Sequence, residues 1–422
     1  MTISLSIFRL ALLLVVAGTA SGALAASNNG YDKTPGGLPG EAPLPRGDRA
    51  PVRPEIAKPL QEAQNANQQQ NWSLARAKLD EADAVHDKTP IEIFYIDVTR
   101  ATALKGAGDP TGAAKVLAAA LDTGKAKPED APAIMANIAN LYAAAKDYPD
   151  TVAWAQKYAQ AGGKDPGVAA LVVQAEYLSG DYAGAARDAQ KALDAATQAH
   201  QKPSEELLLL IGNCYLKQNN DTAYTGLLEQ LVGFYPTQQY WADLIAHVGR
   251  RPGFPDRLML PLNRLQHATG ALTTKELYTD MVELDLQEGI SSEAKAIADE
   301  GAAKGLVAKP LQAKATAAAE ADRKKLDRDE KEAAALKDGN LLVSVGYTYV
   351  GFTDYQKGIA ALEQGIAKGG LKHPDDAKLA LGIACFQAGQ SEKALAAFKS
   401  VTDPGSAGDV ARLWALRVQQ GA

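Results

Sequence analysis

From Glu55 onward, apolar residues recur at helical spacing in blocks of about twelve to fifteen residues, separated by short Gly, Asp, Asn or Pro turns. The stretch GDYAGAARDAQKAL, Gly180 to Leu193, shows the pattern at its clearest. Its alanines at 183, 185, 186, 189 and 192 fall mostly on one helical face. Small residues on a buried face require close helix neighbours, and alanine also favours the helix itself. Related stretches are NWSLARAKLDEADA (71–84), DPTGAAKVLAAALD (109–122), KDYPDTVAWAQKYA (146–159), TDYQKGIAALEQGI (353–366) and GQSEKALAAFKSV (389–401). Each follows an apolar helix and a tight polar turn. Aligned on Ala185, the register runs Ala75, Ala113, Thr151, Ala185, Tyr224, Ala294, Gly358 and Ala394, at intervals of 38, 38, 34, 39, 70, 64 and 36. The two long intervals predict a further helix pair within 240–265 and a charged helical unit within 313–339.

The most complete unit is LALGIACFQAGQSEKALAAFKSVTDP, 379–404. It has Leu381 and Gly382 in the first helix, Gly389 in the turn, Ala394 and Phe398 in the second helix, and Pro404 after it. Ala139, Tyr142 and Tyr148 mark a second unit, and Gly212, Tyr215 and Pro236 a third. A helix, a tight turn, a second helix and a period near 34 resemble the tetratricopeptide repeat family. The resemblance covers about residues 56 to 404. It implies an all-α, right-handed superhelical solenoid of antiparallel helix pairs. Thr151, Tyr224 and Gly358 stand where the family prefers Ala, so altered stacking is expected there. The expected organisation is an N-terminal array over 55–308, a charged helical connector or degenerate repeat over 309–340, a C-terminal pair over 341–404, and a capping helix over 405–422 with Trp414 covering the last pair.

The first 25 residues, with Arg9, an apolar run and a closing Ala-Leu-Ala, read as a secretory signal peptide cleaved after Ala25. Residues 26–54 hold six prolines and five glycines and read as a flexible tether, the alternative being an N-terminal tail without function. The mature chain is then expected in the periplasm, with no transmembrane segment. The formal net charge of −6, without blocks of like charge, argues against nucleic acid. Cys214 and Cys385 fall inside apolar helical patterns and read as buried packing residues rather than a disulfide. The segment ADRKKLDRDEKEAAALKDG, 321–339, mixes signs at helical spacing, with Arg323–Asp327 and Arg328–Glu332 as candidate pairs on a solvated face. His86, His200, His247, His267 and His373 form no paired ligand set, and no phosphate loop or nucleophile elbow occurs. Carboxylates are expected on exposed helix faces. The reading is therefore non-enzymatic, with no cofactor and no metal site.

The resemblance further implies a concave face, lined by first helices, that binds a protein or peptide partner. Eleven residues before the register mark, Asn140, Gln174 and Asn213 form a row of side-chain amides able to bond an extended backbone. The competing reading is local hydrogen bonding within each helix. Tyr177, Leu178, Leu216 and Lys217 extend the same face. Tyr347, Val350, Ile383 and Phe386 make its C-terminal part apolar. A long array after a signal peptide is also similar to repeat proteins found with TonB-type transport and envelope assembly systems, which implies association with membrane-embedded envelope complexes. The alternatives are a polymer-binding hydrolase of the cell envelope, which needs a carboxyl pair in a cleft, and a regulatory groove that holds a partner enzyme's tail.

Overall fold

The computed structural model describes residues 52–421. The signal peptide expected over 1–25, and all of the tether expected over 26–54 except its last three residues, lie outside them. Among the described residues there are twenty α-helices and no strand. Two compact units divide between Asp221 and Thr222. The first holds α1 (Pro54–Gln68), α2 (Trp72–Asp83), α3 (Pro90–Gly106), α4 (Pro110–Asp122), α5 (Ala131–Ala144), α6 (Tyr148–Gln160), α7 (Pro166–Ser179), α8 (Tyr182–Gln198) and α9 (Glu205–Lys217). The second begins with α10 (Asp221–Phe234), whose first residue closes the first unit. It continues through α11 (Gln238–Gly249), α12 (Met259–Ala268), α13 (Lys275–Gln287), α14 (Ser291–Ala303), α15 (Lys309–Ala335), α16 (Asn340–Gly351), α17 (Tyr355–Lys368), α18 (Pro374–Gln387), α19 (Ser391–Lys399) and α20 (Ser406–Gln420). No described helix is long and apolar enough to cross a membrane.

Short-range chemistry sets the helix starts. The side chains of Asn71, Asp109, Asp147 and Asp181 accept from backbone N–H groups three residues on, capping the second helix of four pairs. Thr89 and Glu92 form a reciprocal capping box ahead of α3. Arg53 anchors the chain's entry by binding both Glu92 carboxylate oxygens. This partnership holds the carboxyl down to about 2.

The register series describes where second helices pack most tightly. Ala75, Ala113, Thr151, Ala185, Ala294 and Ala394 are all fully buried. Thr151 substitutes for Ala without an orphaned hydroxyl, because its Oγ1 donates to the Asp147 carbonyl at 2.7 Å. Tyr224 is half-buried and meets the His247 ring edge-on, with centroids 5.0 Å apart. Gly358 marks a close backbone approach. A Cβ there would fall 2.8 Å from the Gly346 carbonyl oxygen, and one on Gly346 would fall 2.9 Å from that of Gly358. Backbones of α16 and α17 therefore touch where the family carries a methyl group. Gly358→Ala should destabilise the second unit by about 1–3 kcal/mol by overpacking, although alanine is the better helix former. Urea unfolding checks this, and equal or greater stability of the variant would contradict it.

The 64-residue interval is explained by α15, one continuous helix of 27 residues in place of a pair. Its buried residues are Ala315, Ala319, Leu326 and Ala333, a single stripe at spacings of four and seven. The charged remainder is mostly solvated. Arg328 lies 3.6 Å from Glu332 as expected, whereas Arg323 lies over the Phe352 ring and Asp327 pairs with Lys357. Cys214 and Cys385 are both free and buried.

The capping helix α20 does more than cover the last pair. Trp414 stacks on Phe398 and meets Phe386 edge-on, and its Nε1 donates to the Pro261 carbonyl at 3.1 Å. Arg417 donates to the Ala268 carbonyl and Gln420 to that of Val232. Arg412 pairs with Glu229, and Arg251 with Asp409. The second unit is thus closed on itself by its last helix.

Candidate functional site

In the first unit, first helices of neighbouring pairs touch directly, α1 with α3 and α5 with α7. Each such contact sets two first helices side by side. Local signals aim α7. Asp165 caps its start, Pro166 occupies the first turn, and Gly180 ends it in the left-handed conformation at φ +87°. Val168, Val173, Ala175 and Glu176 face inward, which leaves Gln174 exposed and Tyr177 half-buried, edge-on to Tyr182 at 5.3 Å. Glu176 is only 4% exposed, and burial together with the Asp188 charge pushes its carboxyl up to about 7.

Asn140 is exposed on α5, and its Nδ2 donates to the Ala136 carbonyl one turn back at 2.9 Å. Local bonding thus engages its donor, while its oxygen accepts no hydrogen bond among the described residues. It lines a cavity of about 280 Å³ with Lys105, Pro110, Asn137 and Leu141. Lys217, at the end of α9, is exposed. The third amide departs from expectation, for Asn213 is 5% exposed. Residues 211–214 of α9 are all buried, and four consecutive residues complete a helical turn, so that turn is covered all round.

The C-terminal part of the expected groove is corrected for the same reason. Residues 345–350 of α16 are buried without interruption, enclosing Tyr347 and Val350. Ile383 is fully buried, and half-buried Phe386 packs on Trp414 with the Arg417 guanidinium 5.3 Å from its ring centre. These positions are apolar because they form a core, not because they offer an open apolar surface.

That core holds an ionic cluster. Arg264 on α12 donates through Nε to both Glu293 oxygens at 3.0 and 2.8 Å and through Nη2 to one of them at 2.5 Å. The two side chains are 5% and 8% exposed. The guanidinium lies 3.7 Å from the Tyr347 ring centre, a cation–π contact in a dry setting. Asp285 on α13 is fully buried beside the Glu293 carboxyl. Burial, reinforced by the Glu293 charge, holds its carboxyl well above the usual carboxylate range. The expectation that carboxylates stand on solvated faces thus fails for Glu92, Glu176, Asp285 and Glu293.

The sequence carried a signal for this cluster. Buried Tyr278, Met281, Val282 and Asp285 follow the spacing i, i+3, i+4, i+7, so the acid occupies a position of the apolar stripe. Its protonation has a measurable consequence. The unfolded chain loses this proton near pH 4, while the folded chain keeps it to much higher pH. Between those limits the folded state binds the extra proton, so stability falls as pH rises, by up to about 1.4 kcal/mol per unit. Asp285→Asn should flatten that slope and be more stable than wild type at pH 8. Urea unfolding at pH 5 and pH 8 checks it, and identical pH dependence in the two proteins would contradict it.

Comparison with known proteins agrees with the helix-pair geometry. The family model described as tetratricopeptide repeat matches residues 98–166 and 346–408, one stretch in each unit. No curated protein matches the chain. Among solved structures, the apo form of RapI is 10% identical with a TM-score of 0.33, covering 65% of this chain and 88% of that one. The yeast Sti1 TPR2AB domain in complex with pHSP90 is 16% identical with a TM-score of 0.30, covering 62% and 98%. A TPR repeat-containing protein from Cytophaga hutchinsonii is 12% identical with a TM-score of 0.28, covering 75% and 98%. All three scores lie below 0.5, so these superpositions are loose. Tetratricopeptide repeats are thus recognised in both units, at residues 98–166 and 346–408, where the helices form antiparallel pairs.

Proposed function

We propose that the protein is an exported, non-enzymatic interaction scaffold that holds an extended polypeptide against the first-helix face of its first unit. The observation that carries this reading is the accessible set Asn140, Gln174, Tyr177 and Lys217 on the first helices α5, α7 and α9. Side-chain amides bond a peptide backbone without reading its sequence, the Tyr177 ring supplies apolar area, and Lys217 favours an acidic segment. The leader over residues 1–25 supports export to the periplasm, where an envelope transport or assembly system such as a TonB-type one is the natural setting.

The hydrolase alternative finds less support. Its carboxyl pair needs access to a polymer, but Asp285 is fully buried and both Glu293 oxygens bind Arg264.

Replacing the exposed Gln174 and Lys217 together by Ala should abolish co-purification of partners from periplasmic extract while leaving helical content and melting temperature unchanged. The same co-purified set with wild type and variant would contradict the reading. Osmotic shock should release a mature chain beginning at Ala26, whereas uncleaved precursor retained in the cytoplasm would contradict export.

A further inference from the structure

Where α11 begins and α12 and α14 end, the second unit holds a cavity of about 320 Å³, at the low end of the range for small-molecule sites. Its wall is mostly polar, from Gln238, His267, Thr273, Glu300 and Lys304. Glu300 is half-buried and the other four are exposed, so a ligand can reach their polar atoms.

The wall is ordered around Glu300. One of its oxygens accepts from the Tyr278 hydroxyl and from Lys304 Nζ, each at 2.7 Å, and the other lies 2.7 Å from His267 Nε2. Lys304 Nζ also donates to the Tyr278 hydroxyl at 2.7 Å. Burial opposes the charged carboxyl, but the bonds from Lys304, Tyr278 and His267 outweigh it and hold the group down to about 2. The carboxylate is thus fixed in one orientation, with buried Tyr278 as a positioning residue. Two of the three Lys304 N–H bonds are engaged and one is left for a ligand, and His267 keeps Nδ1. Gln238 and Thr273 each bring a donor and an acceptor. The Lys304 and Glu300 charges cancel, which favours neither a cation nor an anion. Donors beside acceptors without net charge match the hydroxyl group, itself both donor and acceptor. The ammonium and carboxylate 2.7 Å apart suit two neighbouring hydroxyls on one ring, while Leu272 and Leu306 offer its C–H surface an apolar contact.

We propose that this cavity binds an uncharged monosaccharide unit, with two neighbouring hydroxyls taken by Lys304 and Glu300 and the others by His267, Gln238 and Thr273. The site lies within the second unit and does not depend on the polypeptide face proposed for the first.

Saturation-transfer NMR on the full chain tests this with the methyl glycosides of glucose, galactose and mannose. Two controls accompany them: cyclohexylmethanol, a ring with a single hydroxyl, and the methyl glycoside of glucuronate, which carries a negative charge. At least one neutral glycoside should show saturable transfer at millimolar concentration, cyclohexylmethanol none, and the glucuronate less than the neutral sugar. Lys304→Met removes the ammonium, keeps the stem and should weaken that binding about tenfold. Thr273→Phe, at an exposed wall position, should block the cavity with the melting temperature unchanged. Absence of transfer from all three glycosides, transfer from either control equal to or above that of the neutral sugars, or unchanged binding in either variant would overturn the proposal.

Discussion

Arg264→Ala should destabilise the second unit by about 3–5 kcal/mol, the range for breaking a buried ion pair by removing one partner. Glu293 would keep its charge in a setting where its side chain is only 8% exposed, beside a carboxyl that is itself fully buried. No other cation binds Glu293 among the described residues. The variant also strips the guanidinium from the face of Tyr347, so packing is lost along with charge. Removing both charges together should cost much less than removing Arg264 alone, because a buried pair replaced by apolar residues leaves no unpaired ion. Urea unfolding of Arg264→Ala and of Arg264→Met/Glu293→Leu measures both. A double variant as unstable as the single one would show that the pair acts through shape and not through charge compensation.

Trp414→Ala should be comparably damaging, at about 3–5 kcal/mol, the usual cost of deleting a large buried aromatic. Trp414 is 1% exposed and joins three elements at once: Phe398 on α19, Phe386 on α18, and the Pro261 carbonyl on α12. Its loss should therefore loosen α20 and expose the partners of Arg412, Arg417 and Gln420. Trp414→Phe keeps most of the apolar area but orphans the Pro261 carbonyl, and should cost about 1–3 kcal/mol. Amide hydrogen exchange across 406–420 would register the difference, with fast exchange in the Ala variant and near-native protection in the Phe variant. Native protection in both would contradict the role given to Trp414.

Much of the fold was legible because repeat architecture is written in short-range signals. Alanine at Ala75, Ala113 and Ala185, caps at Asp109 and Asp181, and a left-handed glycine at Gly180 each act within a few residues of their own position. The candidate site was legible only in part. Asn140, Gln174, Asn213, Tyr347 and Ile383 share one slot in the repeat, yet the first two are exposed and the last three buried. Position in a repeat sets where a side chain points, but not whether another part of the chain lies over it. In the second unit that covering depends on contacts such as Arg412 to Glu229 and Gln420 to Val232, separated by 183 and 188 residues. No periodicity carries such information. The ionic cluster lay between these cases: Asp285 on an apolar stripe announced a buried acid, but its proximity to Glu293 and Arg264 emerged only with the fold.

The first-helix face of the first unit is the surface proposed to meet a partner. Photocrosslinking in cells from Gln174, on α7, compared with Lys191, on the second helix α8 with its side chain 72% exposed, tests it most directly. One dominant adduct is expected from position 174, suppressed by co-expressing the wild-type chain, and none of that species from position 191. The same adducts from both positions, or diffuse labelling of abundant proteins from position 174, would contradict it.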